Sequence, residues 1–385
     1  MNDHMQSWAR LLKEDGPHFL NWIQSNDVLG RKLENLAVAL NWLFRLEIKS
    51  KDDAIAVSKA VPAAYKNLDC QSVYDDIWPA ISFTGLHLLD RYVRTWIALE
   101  HLVRMGCFPM GNLGVNVLDV GSGPGPSAIA IHDFYEATIQ YSNQSGQTKW
   151  RQPAHISCVE KGRSVNHLRH MICECLYELS LRNAASIFAL CRFIPDFKHV
   201  LPAQQRRQLQ HELNQSNELT DDEWLLTPFP QITHRGNMTD PLHTYRFIFL
   251  SYILTDADMF CTFKPNLTEI FYDSMPGATI AILGGEGEKH REVYQKVTRL
   301  AVSSGFRVEV KGETISWANS EFESRIREEG IRFFHYLRHL APDNYQDTRE
   351  VQSYFQGSAP CSQLWVFRKY APKRKQKRKA VPPTP

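Results

Sequence analysis

The chain has 385 residues, of which 43% are apolar and 22% charged, so its composition excludes a disordered protein. No apolar run approaches the ~20 residues that a membrane helix needs, and the N-terminal residues lack the apolar core of a secretory signal. The eight cysteines are mostly scattered, which fits a reducing compartment. We therefore expect a globular, cytoplasmic protein of one large domain or two ordinary ones.

Residues 1–112 are predicted to be helical. Apolar side chains recur there at intervals of three and four residues, and Gly106 is a plausible C-cap of the second stripe. The two stripes are Leu36, Val38, Leu40, Trp42, Leu43 and Leu46, then Leu88, Leu89, Tyr92, Trp96, Ile97, Leu99, Leu102 and Val103. We expect an N-terminal helical domain that covers a ligand or grips a substrate, or one that serves only for packing.

The most informative stretch is GVNVLDVGSGPG, residues 114–125. A short apolar run with Asp119 near its end reads as a buried parallel strand. It is followed by glycines at alternate positions, Gly121, Gly123 and Gly125, with Ser122 between the first two. Glycine permits positive φ angles and lets a ligand lie directly on the backbone, so we predict a tight ligand-binding turn that leads into a helix at Pro126.

This stretch resembles motif I of the class I S-adenosylmethionine-dependent methyltransferases. Its spacing is GxGxG with an acid two positions before the first glycine, whereas the dinucleotide fold has GxGxxG. The resemblance implies an α/β fold: a Rossmann-like, seven-stranded, mostly parallel sheet with helices on both faces, here at residues 113–371. It also implies S-adenosylmethionine as cofactor, bound by Asp119, Gly121, Ser122, Gly123 and Gly125.

A polar stretch precedes ISCVE, residues 156–160, which is predicted to be the second strand. A carboxylate at the end of that strand can accept hydrogen bonds from both hydroxyls of a ribose. The resemblance places motif II at this acid, so Glu160 is predicted to hold the adenosine ribose.

Residues 184–230 do not fit the minimal fold and are predicted to be an insertion. Gln231–Asp240 is predicted to be the third strand and its exit. In similar methyltransferases an acid or amide followed by an apolar residue lies near the adenine amino group, and Asn237 and Met238 suit that position.

The segment YRFIFLSYILTD, residues 245–256, is predicted to be the fourth strand and its exit. Ligands of open α/β sheets lie beyond the carboxyl ends of the strands. Ser251, Tyr252 and Asp256 are therefore candidates to border the transferred methyl group, with Ser251 also a candidate cofactor contact. The sequence identifies no catalytic base.

The remaining elements complete the family's pattern. We predict strands at Ala278–Leu283 and Phe306–Val310, a helix at Glu288–Ser304, and an antiparallel final strand at Gln363–Tyr370. Residues 314–360 are predicted to be a second insertion that contains an amphipathic helix.

No metal site is predicted. Cys173 and Cys175 follow His170, but a CxC on a helix directs its two thiols to different sides and further ligands at a matching spacing are missing. His132 is predicted to be a core or surface residue, and Cys361 to be structural.

Residues 372–385 are predicted to be a disordered tail. Six of the seven residues from Lys373 to Lys379 are basic, and the 42 acidic residues of the chain outnumber the basic ones that remain. Such a run favours phosphates, so RNA or the ribosome is the expected partner; a nuclear address and a solubilising end remain open. The glycine loop, the SYIL strand end and the helical front also resemble methyltransferase-like proteins of the small ribosomal subunit, although the cysteine cluster of those proteins is absent.

Three functions are compatible with the sequence. The first is a methyltransferase that acts on RNA or a ribonucleoprotein. The second is a methyltransferase that acts on a small molecule or a protein, enclosed beside Tyr252. The third is a protein that keeps the fold as a non-catalytic scaffold.

Overall fold

The structure is a computed structural model that describes residues 2–66, 72–111, 114–182, 191–194, 245–254, 256–318, 320–342 and 361–370. The predictions for Asn237, Met238 and the basic tail lie outside these residues. Among the described helices, none is both long enough and apolar enough to cross a membrane.

The N-terminal region is helical, as predicted. The helices are α1 (Asn2–Ser25), α2 (Val28–Glu47), α3 (Lys51–Lys66), α4 (Ser72–Asp75) and α5 (Ile77–Arg104). Helix α5 is buried over most of its length and packs on the other N-terminal helices and on three helices of the following α/β region. Secondary structure changes near residue 112, where we placed a domain boundary, but the apolar core continues across it.

The α/β region alternates strands and helices. In chain order these are β1 (Val115–Val120), α6 (Pro126–Ser145), β2 (Ala154–Val159), α7 (Arg163–Arg182), β3 (Cys191–Ile194), β4 (Phe247–Ser251), α8 (Ala257–Asp273), β5 (Thr279–Gly284), α9 (Glu288–Ser303), β6 (Phe306–Ile315), α10 (Glu323–Leu340) and β7 (Ser362–Lys369).

Within the described residues, seven strands form one sheet in the order β3-β2-β1-β4-β5-β7-β6. Strands β1 to β5 run parallel, and β7 is antiparallel to both of its neighbours, β5 and β6. The predicted seven-stranded, mostly parallel sheet is confirmed. The strand order reverses between β1 and β4, and the crevice at such a switch point is where open α/β sheets bind ligands.

The predicted third strand is wrong. Cys191–Ile194 occupies that place in the sheet and pairs with Ile156–Val159 of β2, whereas Gln231–Asp240 lies outside the described residues. The predicted insertion at 184–230 therefore contains a strand of the fold. A four-residue edge strand gives little periodic signal, which is why the sequence pattern missed it.

The C-terminal predictions agree more closely. The helix predicted after residue 314 is α10, and β7 is the antiparallel strand expected at Gln363–Tyr370. Strand β6 is longer than predicted and ends at Ile315, because its pairing with β7 continues through two register shifts. The second insertion therefore begins inside a strand.

The two faces of the sheet bury different helices. Strand residues alternate between them: Phe247 and Phe249 of β4 join the core cluster of α1–α7 and α10, while Ile248 and Leu250 join the cluster of α8 and α9. The carboxyl edge of β1 and β4 is thereby brought close to α5, and this edge holds the candidate site.

Candidate active site at the switch point

The three glycines of the loop after β1 adopt positive φ angles, 75° at Gly121, 53° at Gly123 and 94° at Gly125. A Cβ on Gly121 would lie 2.8 Å from Ile253, and one on Gly125 would lie 2.8 Å from Arg169. At Gly123 the nearest atom is a ring carbon of Phe83 at 3.8 Å. Gly121 and Gly125 must therefore be glycine because a side chain would collide with its neighbours. At Gly123 only the positive φ angle and a bound ligand would disfavour a side chain.

Backbone and side-chain acceptors of the β2 end hold the loop in place. Gly121 N and Ser122 N donate to the Val159 carbonyl at 2.9 and 3.2 Å, and Gly123 N donates to Glu160 Oε2 at 2.8 Å. Glu160 Oε1 accepts from Gly162 N, also at 2.8 Å. Glu160 therefore faces the glycine loop from the next strand.

Burial, opposed by hydrogen bonds from backbone amides and by Arg169, raises the pKa of Glu160 above its ordinary value. Each carboxylate oxygen has two lone pairs, so the bonds to Gly123 and Gly162 leave acceptor capacity for ribose hydroxyls. That Glu160 binds a ribose stays a prediction.

Two polar atoms next to the loop are buried and have no hydrogen-bond partner in the described part of the chain. Asp119 accepts from Ser127 Oγ through Oδ2 at 2.7 Å, but its Oδ1 has no partner among the described residues, and the same is true of Ser122 Oγ. Burial raises the pKa of Asp119 well above its ordinary value. Buried polar atoms are nearly always hydrogen-bonded, so these two atoms are candidates to form hydrogen bonds with a ligand.

Tyr252 directly follows β4 and has a φ angle of 55°, unusual for an aromatic residue. Its backbone N–H donates to Leu283 of β5, and its hydroxyl contacts Ser362 at the start of β7. Burial raises the pKa of the phenol. Strain of this kind clusters at functional sites, and the partly buried ring lies at the switch point, as the sequence predicts.

The other two candidates near β4, Ser251 and Asp256, differ in their hydrogen bonds and in their place in the fold. Ser251 is the buried last residue of β4, paired in register with Leu283. Asp256 is the N-cap of α8, and its Oδ1 accepts from the Asp258 and Met259 amides at 3.0 and 2.9 Å. This capping accounts for an aspartate at that position, so a role for Asp256 at the methyl site has no support in the geometry.

Helix α5 has a buried polar stripe that the sequence patterns did not predict. The stripe follows Phe83, the residue that approaches Gly123, and consists of His87, Arg91 and Arg94 at helical spacing. The Arg91 guanidinium carbon lies 4.8 Å from the centre of the Phe83 ring and 4.4 Å from that of Tyr252. Burial, together with Arg91 and Arg94, lowers the pKa of His87 well below its ordinary value. The signal was present as charges at intervals of three and four residues inside a strongly apolar helix.

The last arginine of the stripe belongs to a buried network. Arg94 pairs with Asp90 and donates to Ser362, and Asp90 also accepts from the Trp317 indole. The Arg94 guanidinium carbon lies 5.0 Å from the centre of the Tyr252 ring. The network connects α5 to the start of β7, and both Arg94 and Ser362 contact Tyr252.

A second polar cluster lies on α6, and sequence analysis did not predict it. His132, Asp133 and Glu136 are buried, with potential ligand atoms within 4.8 Å of one another. Lys32 of α2 pairs with both carboxylates, at 3.2 Å from Asp133. The lysine ammonium thus supplies the positive charge that these acids need, and we assign the cluster to packing between α2 and α6.

The structure brings Asp119, the glycine loop, Glu160, Ser251 and Tyr252 to one edge of the sheet.

Of the cysteines discussed above, Cys173 and Cys175 lie on α7, and Cys361 immediately precedes β7. Cys158 lies in β2 as a buried core residue, as its position in a predicted strand suggests.

Comparisons with known proteins give only distant likenesses. No family model matches the sequence, and no curated protein matches it. Similar solved structures include phosphoethanolamine N-methyltransferase 2 from Haemonchus contortus, in complex with phosphomonomethylethanolamine and S-adenosylhomocysteine (12% identity, TM-score 0.36, 77% of this chain and 60% of that one). A cyclopropane synthase from Mycobacterium tuberculosis has 9% identity and a TM-score of 0.36, over 71% of this chain and 84% of that one. A precorrin-6y C5,15-methyltransferase from Geobacter metallireducens has 11% identity and a TM-score of 0.33, over 72% and 86%. At these values the likeness carries no argument about function, which rests on the geometry of the site.

Proposed function

We propose that this protein is an S-adenosylmethionine-dependent methyltransferase. The observation that carries the proposal is the loop from Asp119 to Gly125 at the switch point of the sheet, hydrogen-bonded through Gly123 to Glu160. A strand-end acid facing a glycine turn of this kind suits a nucleoside joined to an amino acid.

The residues present fit such a cofactor. Glu160 has acceptor capacity for the two ribose hydroxyls. The buried Asp119 Oδ1, which has no partner among the residues that the structure describes, can accept from an ammonium group, and the Ser122 hydroxyl can donate or accept. A Cβ added to Gly123 would contact the Phe83 ring at 3.8 Å, so we expect a ligand at the loop to lie against this glycine and that ring.

The bound cofactor would supply a methyl group already activated for displacement by a neighbouring nucleophile. The protein must then align the acceptor with that group and exclude water. We expect Ser251 and Tyr252 to border the acceptor, because they lie at the end of the strand beside the loop. The Tyr252 hydroxyl contacts Ser362 and has a raised pKa, so this residue serves as a wall of the site and is unsuited to be a general base.

For the acceptor we propose RNA or a ribonucleoprotein. The support is the run Lys373–Lys379, whose charges suit phosphate contacts. The alternative acceptor is a small molecule or a protein; what favours a small molecule is the burial of the residues around Tyr252. Transfer of labelled methyl groups into separated RNA, protein and metabolite fractions distinguishes these acceptors.

Cofactor binding is tested by calorimetry with S-adenosylmethionine and S-adenosylhomocysteine on the wild type and on Gly123→Ala. An alanine there meets no protein atom closer than 3.8 Å, so it should cost about 1 kcal/mol of folding stability from its φ angle alone. We expect it to weaken both ligands at least about tenfold by blocking the approach to the loop backbone.

The matched control is Gly146→Ala. Gly146 has a φ angle of 74° and directly follows α6, and a Cβ at this position would have no other atom of the described residues within 4 Å. The variant should lose similar stability and keep full ligand affinity. Absence of heat and of a thermal shift with either ligand in the wild type would leave only the scaffold function.

A further inference from the structure

Arg91 is a buried cation whose charge has no counterpart in the described part of the chain. Arg91 is 9% exposed to solvent. It forms no ion pair there, and its Nε has no hydrogen-bond partner. The neighbouring Arg94 differs, because Asp90 balances its charge.

A buried guanidinium without an anion is costly, and contacts with aromatic rings recover only part of the cost. The Phe83 and Tyr252 rings flank Arg91, with centroids at 4.8 and 4.4 Å from its guanidinium carbon. The rings contact the guanidinium but carry no negative charge, so they do not replace an anion.

The position of Arg91 identifies where its missing partner belongs. Phe83 lies next to Gly123 on the loop after β1, and Tyr252 follows β4. Arg91 contacts both residues and therefore lies beside the crevice between the two strand ends. His87, one turn earlier on α5, is kept neutral by burial and by the two arginines, and so adds no second charge.

We propose that Arg91 is the receptor for a carboxylate group at the methyl-transfer site. A planar guanidinium binds a carboxylate through two parallel hydrogen bonds, a geometry that lysine cannot reproduce. The carboxylate belongs either to the amino-acid part of the cofactor or, if the acceptor is the alternative small molecule or protein, to the acceptor. This inference deepens the proposed function and rests on it.

The test compares wild type with Arg91→Met and Arg91→Lys. Arg104→Met is the matched control, since Arg104 lies on the same helix but is exposed and paired with Glu100. Calorimetry measures affinity for S-adenosylhomocysteine, which has a carboxylate, and for 5′-methylthioadenosine, which lacks the amino-acid part. Thermal melts measure stabilisation by sodium acetate against sodium chloride at equal ionic strength, with and without S-adenosylhomocysteine.

If the cofactor supplies the carboxylate, Arg91→Met weakens S-adenosylhomocysteine by about 10- to 100-fold and leaves 5′-methylthioadenosine unchanged. Arg91→Lys should recover only part of the loss. If the acceptor supplies it, S-adenosylhomocysteine binds as in wild type, but the extra stabilisation of the saturated protein by acetate disappears in Arg91→Met. Either result supports the proposal.

The melts also separate a binding role from a structural one. Removing an unpaired buried charge should leave the melting temperature of the ligand-free protein unchanged or raise it, whereas loss of a structural contact lowers it. The proposal is overturned if wild type binds S-adenosylhomocysteine and Arg91→Met matches it in both ligand affinities and in the acetate response. If wild type binds no adenosyl ligand, the proposed function fails instead, and the acetate response of the ligand-free proteins alone decides the role of Arg91.

Discussion

The two faces of the sheet are buried by different kinds of residue. On the face covered by α8 and α9 the core is apolar, and among the described residues no buried charged side chain comes from either helix. On the opposite face, α5, α6 and α7 all bury charged groups, among them Arg91, Asp133 and Arg169.

The difference separates stability from function within one sheet. Apolar burial stabilises without directional demands, so α8 and α9 need only suitable volume and shape. Buried polar and charged groups require partners, and under the proposed function those near the glycine loop that lack one among the described residues face the ligand. The Asp119 Oδ1 atom and the Arg91 guanidinium are such groups.

The largest loss of folding stability is expected from Asp90→Asn. The substitution removes the charge that balances buried Arg94, and breaking a buried pair from one side costs about 3–5 kcal/mol. Urea denaturation measures the change. Glu100→Gln is the matched control, since Glu100 pairs with the half-exposed Arg104 at the same spacing on the same helix and should cost less than about 1 kcal/mol. Equal losses in the two variants would show that burial of the Asp90–Arg94 pair is unimportant.

Leu267→Ala tests the apolar face. Leu267 of α8 is 1% exposed, and truncation of a buried leucine costs about 2–5 kcal/mol. We expect S-adenosylhomocysteine affinity, measured by calorimetry at a temperature where the variant is folded, to remain as in wild type.

Leu168→Ala is the partner experiment on the other face. Leu168 is equally buried but lies on α7 beside Arg169, which packs under Gly125. It should lose similar stability and also lose ligand affinity. The comparison between the faces fails if the two leucine variants affect binding alike.

Asp133→Asn should give a smaller loss that depends on pH. Burial alone would raise the pKa of Asp133, but Lys32, His132 and Tyr92 hold it at about 2. The unfolded chain has the higher pKa, about 3.9, and binds more protons between these values, so the stabilisation is complete above pH ~4 and is lost as pH falls to about 2. We expect a loss of about 2 kcal/mol at pH 7 that shrinks over that interval in urea titrations.

Glu178→Gln, at an exposed position of α7, controls for the general effect of acid and should change stability little at any pH. A loss in Asp133→Asn that is constant from pH 7 to pH 2 would contradict the role of the Lys32 pair.

The sequence by itself determined the centre of this protein. Alternate glycines after an apolar run with Asp119 can be read locally, because positive φ angles and close backbone approach demand glycine wherever the turn occurs. The same holds for the strand ends at Glu160 and Tyr252, where strong β-forming runs stop. The helical front followed from apolar periodicity, whereas the parallel sheet and its antiparallel last strand were implied by the resemblance of the glycine loop to a known family.

Only the tertiary structure decided what depends on distant partners. The third strand at Cys191–Ile194 exists because β2 offers it an edge, and its four residues carry too little pattern to be found alone. Asp256 caps helix α8, a role that the sequence analysis did not assign to it. Arg91 looked like an ordinary charge on a helix, and its importance comes from a fold that buries it between Phe83 and Tyr252 with no carboxylate among the described residues to pair with it. Burial and pairing are properties of the packed chain, so a charge in the sequence does not reveal whether it faces water, a partner or a ligand.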